Sequence, residues 1–448
     1  MNTSMRKFGM VAGLVLAVAQ AFASHPVVKI KCRAELDREI LPANAAQRAV
    51  VKVTLDAPKV NWATERPPVN LAIVLDRSGS MAGVKLAKAK DAAIEALRRL
   101  GANDRFSLVV YDSDVETIVP SQSAGNTEWI IPRIREINSR GSTALFSGVS
   151  QGASEIRKNL DGDYIHRLIL LSDGQANVGP RSPDDLGRLG AALFKEHIAV
   201  TTVGVGNDYN EDLMTRLAQN SDGNTYFVEA GGDLPRIFAA ELGDVLSVVA
   251  RKVRIEIEFT GGARPVRIIG RDGRVSGNRV ELTLNQLYGG QEKYVLVEVD
   301  LEPGRPRDVR RIVEARCTYE DAVGGRSDTV RAYADARFSE VEEEVLRSVN
   351  VTVQRDWNWN AIAEAKDDAI RLTDKGEKKK AADLLRNKAE EITKRSVTYK
   401  FDLPGGQAAA VSSMPAAAIT IEQEGMSKSG RKSYITESYQ IRNQQSAQ

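Results

Sequence analysis

Histidine is scarce in this chain and cysteine scarcer, with three of the first and two of the second in 448 residues. His25, His166 and His197 are too scattered to hold zinc, and the His-Glu-x-x-His pattern is absent. Gly204-x-Gly206 does not continue to the third glycine of a dinucleotide loop. Nor is there an excess of one sign of charge: 62 basic residues stand among 60 acidic ones, for a net charge of +2. With no basic stripe and no aromatic RNA-binding motif, the composition argues against a nucleic-acid face. Beyond the N-terminus no stretch is apolar enough to cross a membrane, for which ~20 residues are needed.

What is present begins with the pattern of a secretory signal. Arg6 and Lys7 supply positive charge, Gly9 to Ala19 an apolar core, and Ala21-Phe22-Ala23 a small-x-small cleavage site. The apolar run is too short to span a bilayer comfortably, and no cysteine follows it to carry a lipid anchor. The expectation is an exported protein, periplasmic or secreted, whose mature chain starts near Ser24. Cys32 and Cys317 would then meet an oxidising compartment. A disulfide between them is expected, and it requires the segments before and after the central part of the chain to pack together. The alternative is two buried thiols.

The chain is organised around Leu71-Ala72-Ile73-Val74-Leu75-Asp76-Arg77-Ser78-Gly79-Ser80-Met81. The aliphatic run reads as a strand buried on both faces, as in a parallel sheet. Asp76 falls just past its carboxyl end, where open α/β sheets bind ligands. Gly79 lets the loop bend tightly, so that Ser78 and Ser80 can aim their hydroxyls beside the carboxylate. One carboxylate plus two hydroxyls is an oxygen-only cluster, suited to a hard cation such as Mg²⁺. Downstream, strands alternate with amphipathic helices, which implies a parallel sheet between helical layers.

Asp76-x-Ser78-x-Ser80 resembles the signature of the von Willebrand factor A domain, and the resemblance runs from about Val69 to about Leu246. It implies a metal-ion-dependent adhesion site drawn from three loops. The second loop of such a site brings a threonine, matched by Thr143 in Arg140-Gly141-Ser142-Thr143-Ala144-Leu145. The third brings an aspartate after a strand, matched by Asp173 in Leu168-Ile169-Leu170-Leu171-Ser172-Asp173-Gly174. The implied ligand set is Asp76, Ser78, Ser80, Thr143 and Asp173, holding Mg²⁺ or alternatively Mn²⁺ or Ca²⁺. An acidic side chain, Asp or Glu, from a partner protein would complete the shell. Arg77 reads as a solvated side chain. Asp112-Ser113-Asp114 fits a hairpin turn, and Asn207-Asp208-Tyr209-Asn210 a turn leading to a helix cap.

The flanks follow period two. Residues 24–66 hold strands such as Ala49 to Leu55. From Arg254 to Phe338 the strands are punctuated by Gly261-Gly262, Gly289-Gly290 and Gly324-Gly325. This order resembles the inter-alpha-trypsin inhibitor heavy chains, whose β domain is split by an A domain. The fold class expected is therefore α/β: a doubly wound, mostly parallel sheet over 67–250, inserted in an antiparallel β-sandwich-like domain (24–66 and 251–338). Helices are expected over 339–400, docked onto the β domain by Trp357 and Trp359. Beyond Phe401 the chain is rich in Ala, Gly, Ser and Gln and is expected to be mostly disordered, with Ser433 to Thr436 adding a local strand.

The function expected from this is non-enzymatic: a metal-dependent module that binds a protein ligand. A metal-dependent hydrolase would need a free base near the ion, and Asp76 and Asp173 are already committed. The remaining alternative is a scaffold in which the ion only stiffens the fold.

Overall fold

The computed structural model describes residues 28–60, 66–160, 163–229 and 232–445. The signal segment read over Met1 to Ala23 lies outside the described residues. Three strands come first: β1 (Lys31–Leu36), β2 (Ile40–Pro42) and β3 (Gln47–Asp56). The central unit follows as β4 (Val69–Asp76), α1 (Val84–Arg98), β5 (Arg105–Tyr111), β6 (Val115–Ser123), α2 (Thr127–Arg135), α3 (Leu145–Arg157), β7 (Ile165–Ser172), α4 (Pro183–Lys195), β8 (Ala199–Val205), α5 (Glu211–Asn220), β9 (Thr225–Val228) and α6 (Leu234–Leu246). Then come β10 (Val248–Phe259), β11 (Ala263–Ile269), β12 (Arg274–Ser276), β13 (Arg279–Tyr288), β14 (Glu292–Leu301), β15 (Val309–Asp321) and β16 (Ser327–Ser339). Helices α7 (Glu342–Arg347), α8 (Val351–Asp374), α9 (Lys378–Thr398), α10 (Gly405–Gln423) and α11 (Lys428–Arg442) close the chain.

The central sheet runs β6-β5-β4-β7-β8-β9, and β6 alone is antiparallel to its neighbour. Alternate residues of a strand point to opposite faces. Leu71, Ile73 and Leu75 accordingly pack under α1, α2 and α6, whereas Ala72 and Val74 pack under α3, α4 and α5. Both faces are covered, so every residue of β4 and β7 is buried, and each strand is aliphatic through its middle, Leu71–Leu75 and Leu168–Leu171.

This unit interrupts a β-sandwich. Strand β3 precedes it and β14 follows it, yet the two pair antiparallel from Glu292↔Asp56 to Leu301↔Gln47. One sheet reads β1-β3-β14-β11 and the other β12-β13-β10-β15-β16-β2. The last helix of the central unit ends at Leu246, and after Ser247 the chain is already in β10.

Cys32 on β1 and Cys317 on β15 belong to the same sandwich core, so the flanking segments do pack together. Both cysteines nevertheless stand as thiols, and the expected bridge is not made in this structure. Burial, with Asp56 nearby, pushes the Cys32 thiol up to about 11, and burial carries Cys317 well above the ordinary thiol range.

The C-terminal helices cover the outer face of the β1-β3-β14-β11 sheet, where Val50, Ile269 and Leu296 meet Val353, Trp357, Ile362, Leu385 and Ile392. Trp357 is buried there and Trp359 packs at the margin. Helix α8 starts at Val351, capped by the Asn350 side chain, and so takes in both tryptophans. The covering layer buries Lys52 of β3 completely, where it pairs with Asp356 at 2.6 Å and Glu292 at 2.7 Å.

The tail beyond Phe401 corrects the expectation of disorder. It forms α10 and α11, and Ser433 to Thr436 lie within a helix rather than a strand. Gln407, Val411, Met414, Ala418 and Ile421 recur at helical spacing and bury one stripe of α10 against its neighbours. Alanine is the strongest helix former, so an alanine-rich segment with such a stripe needs only a surface to pack on.

Candidate metal site

Strand β4 ends in Asp76, and its parallel neighbour β7 ends in Ser172, so the two loops leave the sheet side by side. The chain goes from β4 outward to β5 on one side and returns to β7 on the other. That is the switch point where a doubly wound sheet opens a crevice. Asp76 accepts hydrogen bonds from the Ser78 amide at 2.8 Å and from Ser172 Oγ at 2.7 Å. Ser78 Oγ and Ser80 Oγ lie 3.1 Å apart, and Ser80 Oγ donates to Asp173 Oδ1 at 2.7 Å.

The second loop is tied to the first by backbone. The Gly79 amide donates to the Gly141 carbonyl at 3.2 Å, and the Arg140 amide to the Arg77 carbonyl at 2.8 Å. Gly141 has φ +70, and a Cβ there would meet Asp112 and Ser113 at 3.0–3.1 Å, so the loop needs glycine twice over. Thr143 is then held by Asn177, whose Oδ1 accepts the Thr143 amide at 2.8 Å.

These contacts bring all five expected residues together. A Cβ placed on Gly174 would lie 3.3 Å from Thr143 Oγ1, 3.6 Å from Ser80 Oγ and 3.9 Å from Asp76 Oδ2. Two oxygens from the first loop and one from the second therefore face a common point beside Gly174 of the third. Asp76, Asp173, Ser78 and Thr143 are buried, while Ser80 is exposed. The carboxylates thus sit at the floor of the site and one hydroxyl at its mouth. Burial raises the Asp76 carboxyl to about 6, against the hydrogen bonds from Ser78 and Ser172. An oxygen-only donor set with two buried carboxylates fits a hard divalent cation such as Mg²⁺, Mn²⁺ or Ca²⁺.

Arg77 corrects the sequence reading. It is 5% exposed and lies under the loop, not in solvent. Its Nε donates to Asp112 Oδ2 at 2.6 Å, and its other end pairs with Glu116 at 2.9 Å. Asp112 does sit in the β5–β6 turn, and it also accepts from Arg140 at 2.9 Å. Burial alone would push the Asp112 carboxyl up, but the Asp114 amide, Arg140 and Arg77 outweigh it and hold the group below the ordinary range. The hairpin turn is therefore the anchor of both ligand loops.

Three further residues escaped sequence reasoning: Ser172 and Asn177, described above, and Lys85, whose Nζ donates to Asp173 Oδ2 at 2.5 Å. Their only sequence signal is proximity, Ser172 beside Asp173 and Lys85 at the start of the helix after the first loop. Asn210 caps α5 as expected, its Oδ1 accepting the Leu213 amide at 3.2 Å. His166 is buried against Asn70, at the opposite end of β4 from Asp76.

Residues 70–240 match the family model of the von Willebrand factor type A domain. Over 283 residues the chain is 26% identical to the uncharacterized protein sll0103 of Synechocystis sp., a match covering 61% of this chain and 66% of that protein. It is also 26% identical over 164 residues to human inter-alpha-trypsin inhibitor heavy chain H3, covering 35% of this chain and 18% of the human one. The chain thus spans less than the full length of either relative. Among solved structures, a von Willebrand factor type A protein from Catenulispora acidiphila superposes with a TM-score of 0.63 at 17% identity, over 88% of this chain and 97% of that one. That likeness is one of fold, and it extends beyond residues 70–240 into the flanking parts.

Proposed function

We propose, on the premise that residues 70–240 of this chain form a von Willebrand factor type A domain, that the protein is an exported, non-enzymatic module which binds a partner protein through a divalent cation. The observation that carries this reading is the convergence of Thr143, Ser80 and Asp76 oxygens on one point in front of Gly174. Ser78, Ser80 and Thr143 offer neutral oxygens, while Asp76 and Asp173 hold negative charge at the floor of the site. A divalent cation held there supplies positive charge and a coordination position that a partner's Asp or Glu can take. Ser172 and Asn177 fix Asp76 and Thr143 by hydrogen bonds, as outer partners orient metal ligands. Export is supported by the signal pattern over Met1 to Ala23. Among the described residues no helix is long and apolar enough to cross a membrane.

Titration calorimetry of the mature protein with Mg²⁺, Mn²⁺ and Ca²⁺ tests the site directly. Uptake of at least one ion is expected, and its loss in Asp76→Ala with the fold retained by circular dichroism. The partner is sought by pull-down from native envelope extracts. Capture is expected with Mg²⁺ and is expected to vanish both in EDTA and with Asp76→Ala. A partner retained equally well in EDTA would refute metal-dependent binding.

A further inference from the structure

Lys85 lies in the first turn of α1, at the edge of the ion site. Its Nζ donates to Asp173 Oδ2 at 2.5 Å and reaches the Ser80 carbonyl at 3.5 Å. The other oxygen of the same carboxylate accepts Ser80 Oγ. Asp173 is fully buried, whereas the Lys85 side chain keeps 35% of its surface in solvent. Gly206, after β8, borders the ammonium. It has φ +76, and a Cβ there would come within 3.4 Å of Nζ. The lysine therefore lies in a lane between two loops, with one end of the lane on Asp173 and the other open.

Charge decides what this contact means. Asp76 and Asp173 together carry two negative charges and Lys85 one positive charge, leaving one negative charge over. Among the described residues no cation lies within ion-pair distance of Asp76. A divalent ion entering with Lys85 still seated would share the Asp173 carboxylate with an ammonium, and two cations so close repel strongly in a site shielded from water. With the ammonium moved aside, the ion's charge and the two carboxylates balance. A flexible four-carbon stem lets the ammonium move without displacing α1.

We propose that Lys85 is the resident counter-ion of the site: it neutralises Asp173 in the metal-free protein and must release that carboxylate when a divalent cation is taken up. Loading is then an exchange of one cation for another. The released ammonium stays tethered at the rim, where it adds positive charge facing an incoming acidic group. This inference rests on the metal-binding reading given above.

The test compares wild type with Lys85→Met, Lys85→Gln and Lys85→Arg by two measurements. The first is Mg²⁺ affinity by calorimetry, and the second is melting temperature in EDTA and in saturating Mg²⁺. Lys85→Met and Lys85→Gln are expected to bind Mg²⁺ roughly two- to fivefold more tightly than wild type, the factor that corresponds to losing one competing, partly exposed ion pair. Their melting temperature should fall in EDTA, where two carboxylates are left uncompensated, and recover in Mg²⁺. Lys85→Arg should stay near wild type. A lysine with a purely structural role would lower both melting temperatures alike and leave affinity unchanged, and that result overturns the exchange while leaving the metal site intact. A wild-type protein that takes up none of the three ions overturns the metal reading, and the exchange falls with it.

Discussion

At the scale of single residues, charged side chains inside this protein are placed by their partners. Arg77 is buried because Asp112 and Glu116 meet it from the β5–β6 hairpin. Removing one member of a buried pair leaves the other desolvated. Asp112 keeps Arg140 and Glu116 is half exposed, which moderates the loss. Arg77→Met is expected to cost about 2–3 kcal/mol in urea unfolding, below the range for fully buried pairs. Lys293 is the complementary case. It is buried, and its Nζ donates to the Asn443 carbonyl. Burial, then the neighbouring Arg271, brings its ammonium down to about 7 from an ordinary 10.5, against the pull of Asp222 and Asp244. Between those two values the unfolded chain binds a proton that the folded protein lacks, so stability rises with pH through that window. The slope contributed is at most about 1.4 kcal/mol per pH unit. Lys293→Met should lose this contribution, so that wild type gains on the variant as denaturation is followed from pH 7 to pH 10.

At the scale of elements, α3 controls the second ligand loop. Thr143 stands two residues before Leu145, the first residue of the helix, so the seating of α3 sets where its hydroxyl lies. Two glycines let the helix sit close on the sheet. A Cβ at Gly148 would lie 2.6 Å from the Tyr111 ring, and one at Gly152 would lie 2.4 Å from Val74 Cγ2. Alanine at position 152 gains up to about 1 kcal/mol of helix propensity but overpacks a rigid contact, at a cost of about 1–3 kcal/mol. Gly152→Ala is therefore expected to be destabilising by about 1 kcal/mol and to weaken Mg²⁺ binding by pushing α3 off β4. Thermal unfolding and calorimetry on the same sample check both effects. Unchanged Mg²⁺ affinity in a destabilised variant would show that Thr143 is held by Asn177 alone.

At the scale of the whole molecule, α11 ties three units together. Tyr439 Oη donates to the Gly223 carbonyl at 2.6 Å, and Arg431 pairs with Glu211 at 2.6 Å and Asp212 at 3.0 Å. Gln444, just past the helix, donates to the Tyr294 carbonyl of the sandwich at 3.2 Å. Ser438 donates to the Ala363 carbonyl of α8 at 3.2 Å. Arg167 of β7 makes a second junction, fully buried and donating to Gln286 at 2.9 Å and to Tyr288, both on β13. Truncation after Glu424 removes the first junction and leaves the second. Calorimetry should then resolve two transitions where the full chain gives one, and Mg²⁺ uptake should persist, because α11 supplies none of the five ligands. A single transition at the original temperature would show that the remaining junctions, Arg167 with β13 and Asn285 with Asp222 and Ser221, suffice to couple the units.

The sequence by itself determined the central sheet and the first loop of the candidate ion site. A strand buried on both faces is aliphatic through its middle, and a loop that offers oxygens to a cation carries Asp and Ser at short spacings. Both are local demands, visible over a dozen residues, so Asp76, Ser78 and Ser80 could be named from their own loop, whereas Thr143 and Asp173 were named through the family resemblance. Period two exposed the split β domain. Only the tertiary structure decided the rest. Arg77 looks solvated until a hairpin 35 residues away delivers Asp112. The Ala-rich tail looks disordered until α9 and α8 offer it a face, and Lys85 looks like an ordinary helix-surface lysine until β7 brings Asp173 under it. Whether a charge is solvated or paired, and whether a weakly amphipathic segment folds, depends on what the fold places opposite, and that information is spread over distant parts of the chain.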